Sequence, residues 1–560
     1  MGIIIDLEQQ LRDTWEAALA KGQEAGLLKA REIPAFVLEV PKEKKNGDYA
    51  TNLAMMLAKG EGKPPREVAA LLKDLFLQED RKGRVREIEI AGPGFINLFL
   101  DEGYLGEIIL EALEQKQGYG KNQSMSQERI NLEFVSANPT GLLHMGNARG
   151  AAIGDTLANV FRALGASVTK EYYINDAGNQ IENFGKSLNA RYRQALGEED
   201  VAFPEDGYHG ADILETVQGY ISRFGTGLME KSTEERTQTL VKYALEEKLE
   251  HIAINLRRFG LEYDVWYRES TVHESGAVDR TLGSLREKGF LYEKEGAVWM
   301  KTTALGEEKD EVLVRNNGHP TYYAADIAYH KDKFDRGFTR LINIWGADHH
   351  GHVARMERAM EAIGYDKSRL EVILMQLVRL FKGGDILRMS KRTGTYVTLE
   401  ELLDEVGKDA ARYFFVMRNP DSHLDFDLDL AVSQSSDNPV FYIQYAHARI
   451  CSILRQIPEG VEAYLDGEKP LLTLAGEKEL ALKIGELEKV TMEAGFRREP
   501  YRLATYALEL GTLFHQFYSS CRVLNEGPEV KKSRLKLVMA AKYALENVLK
   551  LLGVEAPERM

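Results

Sequence analysis

The sequence predicts an α/β protein: a parallel-sheet core, a small α+β domain before it and an all-α bundle after it. Three observations predict this. RINLEFVSAN, a Pro139-Thr140-Gly141 break, a helical pattern from Asn147 and then SVTKEYYIND make a strand, turn, helix, strand succession, and such units build parallel sheets. VREIEIAGPGFINLFL alternates apolar and polar residues on both sides of Gly92-Pro93-Gly94, which reads as two strands joined by a turn. From about Asn438 onward the apolar residues recur almost purely at helical spacing.

Taken in order, residues 1–115 open with an amphipathic helix pattern and end in the paired strands, forming the N-terminal α+β domain. Gly118 to Glu128, polar and glycine-rich, reads as a linker. The core spans 128–432, and its first helix places Ile153, Leu157, Val160, Phe161 and Leu164 on one face. Residues of about 185–310 are charged and mostly helical in pattern and read as an insertion. Strand-like text returns at RLINIWGAD and LEVILMQLVRLF, followed by a basic glycine-containing loop at 383–396. Residues 438–560 form the helical domain.

With 44% hydrophobic and 28% charged residues, a folded globular chain is expected rather than a disordered one. Lys and Arg total 72 against 87 Asp and Glu, a formal charge of −15. That excess argues against a surface binding arbitrary nucleic acid, although local basic stripes remain compatible with it. The two cysteines, Cys451 and Cys521, cannot make a disulfide framework or a four-thiolate metal site. The N-terminal text lacks a signal-peptide pattern, and no apolar stretch reaches membrane-span length, so a cytoplasmic protein without membrane contact is expected.

Two segments carry chemistry. LLHMGNARG lies where the first strand gives way to its helix, and a helix N-terminus offers free N–H groups and positive potential to phosphate. His144 and Asn147 can donate hydrogen bonds there, and Gly146 permits close approach to the backbone. GGDILRMSKRTGTYVTL clusters Arg388, Lys391 and Arg392 among glycines, suited to charge building on a leaving phosphate.

HxGN and RMSK resemble the HIGH and KMSKS signatures of class I aminoacyl-tRNA synthetases. The surrounding text resembles the bacterial arginyl-tRNA synthetase family over essentially the whole chain: EFVSANPTGLLHMGNARGAAIGD, EYYINDAGNQI, YYAADIAYH, GADHHGHVARM, RMSKRTGTYVTL, NPVFYIQYAHARI and FHQFYSSCRVL, with GDYATNLAM and AGPGFINLFL in the N-terminal domain. Two departures stand out. Asn147 replaces the second signature histidine, and Arg388 replaces the first signature lysine. Lys391 is present while Gly141 occupies the place where some relatives carry a compensating lysine, so Lys391 is expected to supply the loop's principal charge.

The resemblance implies a class I Rossmann-like catalytic core with a helical anticodon-binding bundle. The implied reaction activates arginine with magnesium-bound ATP and transfers it to the tRNA(Arg) 3′ adenosine, with activation dependent on tRNA. His144, Asn147, Arg388 and Lys391 are the expected catalytic residues; Gly146, Met389, Ser390 and Arg392 join them around ATP. Glu133, Ser136, Asn138, Tyr322, Asp326 and His349, with His144, are expected around arginine, with Asp326 and Glu133 toward the guanidinium and Asn138 toward the α-amino or carboxylate side. The N-terminal domain is expected at the tRNA elbow. For RNA in the helical domain the candidates are Tyr442, Tyr445, His447, Lys531, Lys532 and Arg534. No protein-ligated metal, editing domain or stable protein partner is implied, and a monomer is expected. Two rival motifs are weaker. Asp348 to His352 has the look of a metal cluster but lacks the further aspartates of a two-metal hydrolase, and DFDLDL has Leu430 where a calcium loop needs glycine.

Overall fold

The structure is a computed structural model and describes residues 2–30, 34–387 and 397–560. Its centre is a five-stranded, wholly parallel sheet in the spatial order Leu370–Met375, Arg340–Gly346, Arg129–Glu133, Ser167–Ile174 and Val265–Arg268. Ile130, Leu132, Leu341 and Ile342 are buried, as a sheet covered on both faces requires. Helix Met145–Ala163 follows the first strand, and the expected apolar face, Ile153, Leu157, Val160, Phe161 and Leu164, is fully buried.

The N-terminal domain pairs Leu38–Glu39, Tyr49–Thr51, Phe95–Leu100 and Val85–Ala91 in an antiparallel sheet backed by helices including Ile3–Glu24 and Pro65–Glu79. Trp15 and Phe76, both buried, meet between those two helices with ring centroids 4.4 Å apart. The C-terminal domain is built from Pro439–Arg455, Ala475–Gly485, Leu487–Arg497, Tyr501–Ser520 and Pro528–Leu552. Among the described residues no helix is long and apolar enough to cross a membrane.

Three segments are more elaborate in the structure than their patterns suggest. The segment 185–310 is not a continuous helical insertion. Helices Asn179–Ala195, Ala211–Phe224 and Thr233–Arg258 pack together, but Val265–Arg268 is the edge strand of the core sheet, and Leu291–Lys294, Ala297–Met300 and Glu311–Val314 form a separate antiparallel sheet. These strands are four residues long and partly polar, too short for their period to stand out. LEVILMQLVRLF is two strands in two sheets: Leu370–Met375 in the core, and Val378–Lys382, which pairs with Leu424–Asp427. The polar 118–128 segment is packed rather than free. Tyr119 and Met125 are buried, Asn122 and Met125 donate backbone N–H groups to Ala163 and Leu164, and Asn547 donates to the Tyr119 carbonyl.

Candidate active site

Strand order in the core sheet reverses between Arg129–Glu133 and Arg340–Gly346. In open parallel sheets, ligands bind in the crevice at the carboxyl ends of such neighbours. Residues 134–144 leave the first of these ends and lead into helix Met145–Ala163, whose N-cap is His144. The His144 ring accepts at Nδ1 from the Gly146 N–H (3.1 Å), and Asn147 Oδ1 accepts from the His144 N–H (3.1 Å). The first bond puts the neutral ring's proton on Nε2, making it a donor. The second commits the Asn147 oxygen to the cap, so its donor capacity resides in the amide nitrogen. A side chain at Gly146 would press on the imidazole at 3.0 Å.

The residues directly after the basic loop are bonded to the start of this helix. Val397, directly after it, accepts from the Met145 N–H (3.2 Å), and Leu399 donates to the Leu143 carbonyl (2.8 Å). Arg388, Met389, Ser390, Lys391 and Arg392 themselves lie outside the described residues. Arg149, fully buried one turn into the signature helix, donates to the carbonyls of Gln376, Asn419 and Ser422 at 2.8–3.0 Å. It pins the helix to the loop after the last core strand.

At the carboxyl ends of the strands lies an acidic pair. Asp326 sits one turn into helix Tyr322–Asp335, and His352 Nε2 lies 3.0 Å from its Oδ2. Glu269 opens helix Glu269–Glu274 straight after the edge strand and is buried. Burial, then the charge of Asp326 and that of Asp176, pushes its carboxyl up to about 7, against an opposing hydrogen bond from Tyr173. Two carboxylates that repel each other attract a cation, and a planar cation with several donors can serve both. Tyr322, half exposed, stands at the same helix end, near the backbone of Gly178.

Glu133 has an internal partner. Fully buried Lys333 donates to it at 2.5 Å and Ser136 at 3.0 Å. From Lys333 the network runs on: Asn343 Oδ1 accepts from it (3.3 Å), Asn343 Nδ2 donates to His330 Nε2 (2.8 Å), and His330 Nδ1 donates to the Asp326 carbonyl (2.8 Å). Burial, with the charge of Lys333, holds His330 down to about 4, so it is neutral and this direction of donors is consistent. Val135 and Ser136 adopt left-handed backbone (φ 68° and 37°), strain held where the strand meets the crevice. Ser136 also accepts from the Tyr173 N–H (3.1 Å). Asn138 is exposed and donates to Gln180 (2.8 Å).

His349 is exposed, with Asp348 3.8 Å away; among the described residues no group of three His, Cys, Asp or Glu is placed to hold a metal. In DFDLDL, Asp425 pairs with Arg379, Asp427 caps a helix and Asp429 accepts from the Gly383 N–H.

The candidates for RNA already have partners within the chain. His447 is fully buried; burial opposes its charge, yet Cys451, Glu546 and the Pro557 carbonyl together push it up to about 9. Lys531 is paired with Glu459 and Tyr464, Lys532 with Asp466 and Glu468, and buried Arg534 with Glu477. The acids that neutralise this stretch lie 57 to 72 residues away in sequence, so a local count misses them. Tyr442 packs on His515 with ring centroids 4.4 Å apart. Tyr445 is exposed, stacked on Phe441 and covered by Arg449, which also lies over exposed Tyr518.

Sequence reasoning missed Glu269, Lys333, His352 and Arg149. The signal for Glu269 was an acid directly after a short aromatic strand, VWYRE, hidden inside text read as helical.

A parallel sheet with a capped helix N-terminus at its reversal point defines a nucleotide-binding α/β catalytic domain. Residues 108–438 match the class I (R) tRNA synthetase catalytic domain, 7–100 the arginyl tRNA synthetase N-terminal domain and 443–560 the DALR anticodon binding domain. The class is therefore that of the class I aminoacyl-tRNA synthetases. Arginine–tRNA ligase from Heliobacterium modesticaldum is 57% identical over 539 residues, covering 94% of each chain. The same ligase from Moorella thermoacetica is 54% identical over 567 residues, covering 100% of each. The arginyl-tRNA synthetase structure from Thermus thermophilus has the same fold, with a TM-score of 0.75 at 24% identity over 98% of this chain and 100% of its own. The chain belongs to the arginyl-tRNA synthetase family.

Proposed function

We propose that the chain activates L-arginine with ATP, releasing pyrophosphate, and passes the arginine from arginyl-adenylate to a ribose hydroxyl of the 3′-terminal adenosine of tRNA(Arg). The observation that carries the amino-acid assignment is the Glu269–Asp326 pair, set on the same edge of the sheet as a helix N-terminus suited to phosphate. Arginine's carboxylate is the nucleophile on the α-phosphate, so the protein's part is positioning and charge stabilisation. His144 Nε2 and the Asn147 amide nitrogen would donate to phosphate oxygens. Lys391, flanked by Arg388 and Arg392, would stabilise the departing pyrophosphate. Glu269 and Asp326 would take the guanidinium, and an uncharged amino acid would leave this acidic pair without a cation from the substrate, so no editing step is needed. Glu133, held by Lys333 and Ser136, would shape the end of the pocket toward Asn138 and the α-amino group.

Magnesium enters with ATP as the substrate's counter-charge, its ligands phosphate oxygens and water. The work divides among residues 1–115 at the tRNA elbow, 128–432 for chemistry and 438–560 at the anticodon. There the Tyr445, Arg449 and Tyr518 array is the surface best suited to stacking on bases. Activation waits for tRNA, and the setting is the cytoplasm.

Charging of tRNA(Arg) with labelled arginine tests this. Asp326→Asn should raise the KM for arginine about tenfold to a hundredfold, the cost of one charge-assisted contact. An unchanged KM removes Asp326 from the pocket, and absence of charging by the wild-type chain defeats the reading.

A further inference from the structure

Arg412 lies outside the pocket and is fully buried. It sits in helix Leu399–Val416, which is interrupted at Gly407 (φ 76°, ψ 167°). Its guanidinium touches three separate parts of the chain. Nη2 donates to Asp155 Oδ2 on the signature helix (2.7 Å) and Nη1 to the Phe259 carbonyl (3.1 Å). Nε donates to the Leu552 carbonyl at the end of the last helix (2.9 Å), and the group lies 5.5 Å from the Phe259 ring centroid. Asp155 also takes Lys170 from the second core strand (3.0 Å); burial works against its charge, but Arg412 and Lys170 together hold its carboxyl below the usual range.

The far side of the guanidinium is closed by the C-terminal domain itself. Gly553 caps the last helix at φ 69°, and a Cβ there would overlap the guanidinium. A cation at a helix C-terminus is favoured by the carbonyls it faces. Residues beyond Gly553 run back between the two domains: Glu555 pairs with Lys408 (2.7 Å), Gln444 donates to its carbonyl (2.9 Å), and Pro557 and Glu558 accept from His447 (2.9 Å) and Arg455 (3.1 Å). At its other end, helix Leu399–Val416 is bonded to residues 143–145 beside the N-cap. The signature helix is thus bonded at its N-terminal end and again at Asp155, near its middle, to a segment running from Val397 to Arg412 with a break at Gly407, and that segment meets the end of the C-terminal bundle at Arg412.

We infer that Arg412 is a positioning residue for the activation step: through Asp155 it sets the signature helix, and the Leu552–Gly553 turn of the RNA-binding bundle sets Arg412. Asp155 lies roughly 16 Å along the helix from His144, so the helix acts as a rigid lever between the bundle and the phosphate end. A movement of the bundle reaches His144 and Asn147 without any contact between RNA and those residues. The inference rests on the functional reading above.

The test is a double-mutant cycle on the full chain, with rates normalised to active sites and folding checked by circular dichroism. Gly553→Ala pushes on Arg412 from the C-terminal domain, and Asp155→Asn weakens the grip on the signature helix. Gly553→Ala should lower kcat of arginine-dependent ATP–pyrophosphate exchange, with tRNA present, about tenfold or more. The KM for arginine should stay within about twofold, since the pocket is untouched. The double variant should be no slower than the slower single, because both act through one contact. If Asp155→Asn does not fold, Arg412→Lys takes its place in the cycle. Additive losses, or a Gly553→Ala chain with wild-type kcat, overturn the inference alone. A wild-type chain without arginine-dependent exchange overturns the functional reading, and this inference falls with it.

Discussion

Glu269 shows how burial prepares a side chain for one kind of ligand. Held in its protonated form up to about pH 7, against an ordinary value of 4.5, it costs the folded protein stability as pH rises between those values. A guanidinium cation beside it reverses the preference, because the charged carboxylate then has a partner. Arginine binding near pH 6 should therefore release close to one proton, and apparent affinity should climb about tenfold per pH unit below 7. Calorimetry in two buffers of different ionisation enthalpy reads the released proton directly. Equal binding enthalpies in both buffers would remove Glu269 from the guanidinium site.

At the scale of the element, the signature helix joins two roles in the same residues. Asn147 closes the cap with its oxygen while its nitrogen is the donor assigned to phosphate. Asn147→Asp keeps an acceptor for the His144 N–H but places a negative charge where phosphate docks. The folded chain should survive, and kcat/KM for ATP should fall about tenfold or more; an unaltered value would confine Asn147 to capping. The helix, the strand before it and the strand after it were legible because each has a strong period and a buried face. The edge strand Val265–Arg268 was not, since four residues give no period, and Glu269 was lost with it. His144 and Asn147 were proposed from the strand–helix junction, and Tyr322 and Asp326 from family-like strings. Lys333 was not, because a lysine on a helix reads as solvated until its carboxylate, 200 residues away, is folded against it.

Across the whole molecule the charge of −15 is unevenly used. Glu269 and Asp326 gather at the carboxyl edge of the core sheet, and other acids pair with Lys532 and Arg534 of helix Pro528–Leu552, which a sequence scan offers to RNA. Tyr445, Arg449 and Tyr518 form an aromatic and arginine array at the surface of the helical domain. Binding to random-sequence DNA should accordingly be weak and should vanish at moderate salt; filter binding showing tight, salt-resistant retention would contradict this. The catalytic and C-terminal regions are joined through helix Leu399–Val416, which is bonded to the signature segment near its start and to the Leu552 carbonyl through Arg412. The central claim is that this assembly activates arginine and does so with tRNA in place. ATP–pyrophosphate exchange with each of the twenty amino acids, with and without tRNA(Arg), measures it most directly. Exchange with arginine alone, and only when tRNA is present, is the predicted result; exchange driven by another amino acid, or none with arginine and tRNA together, would contradict it.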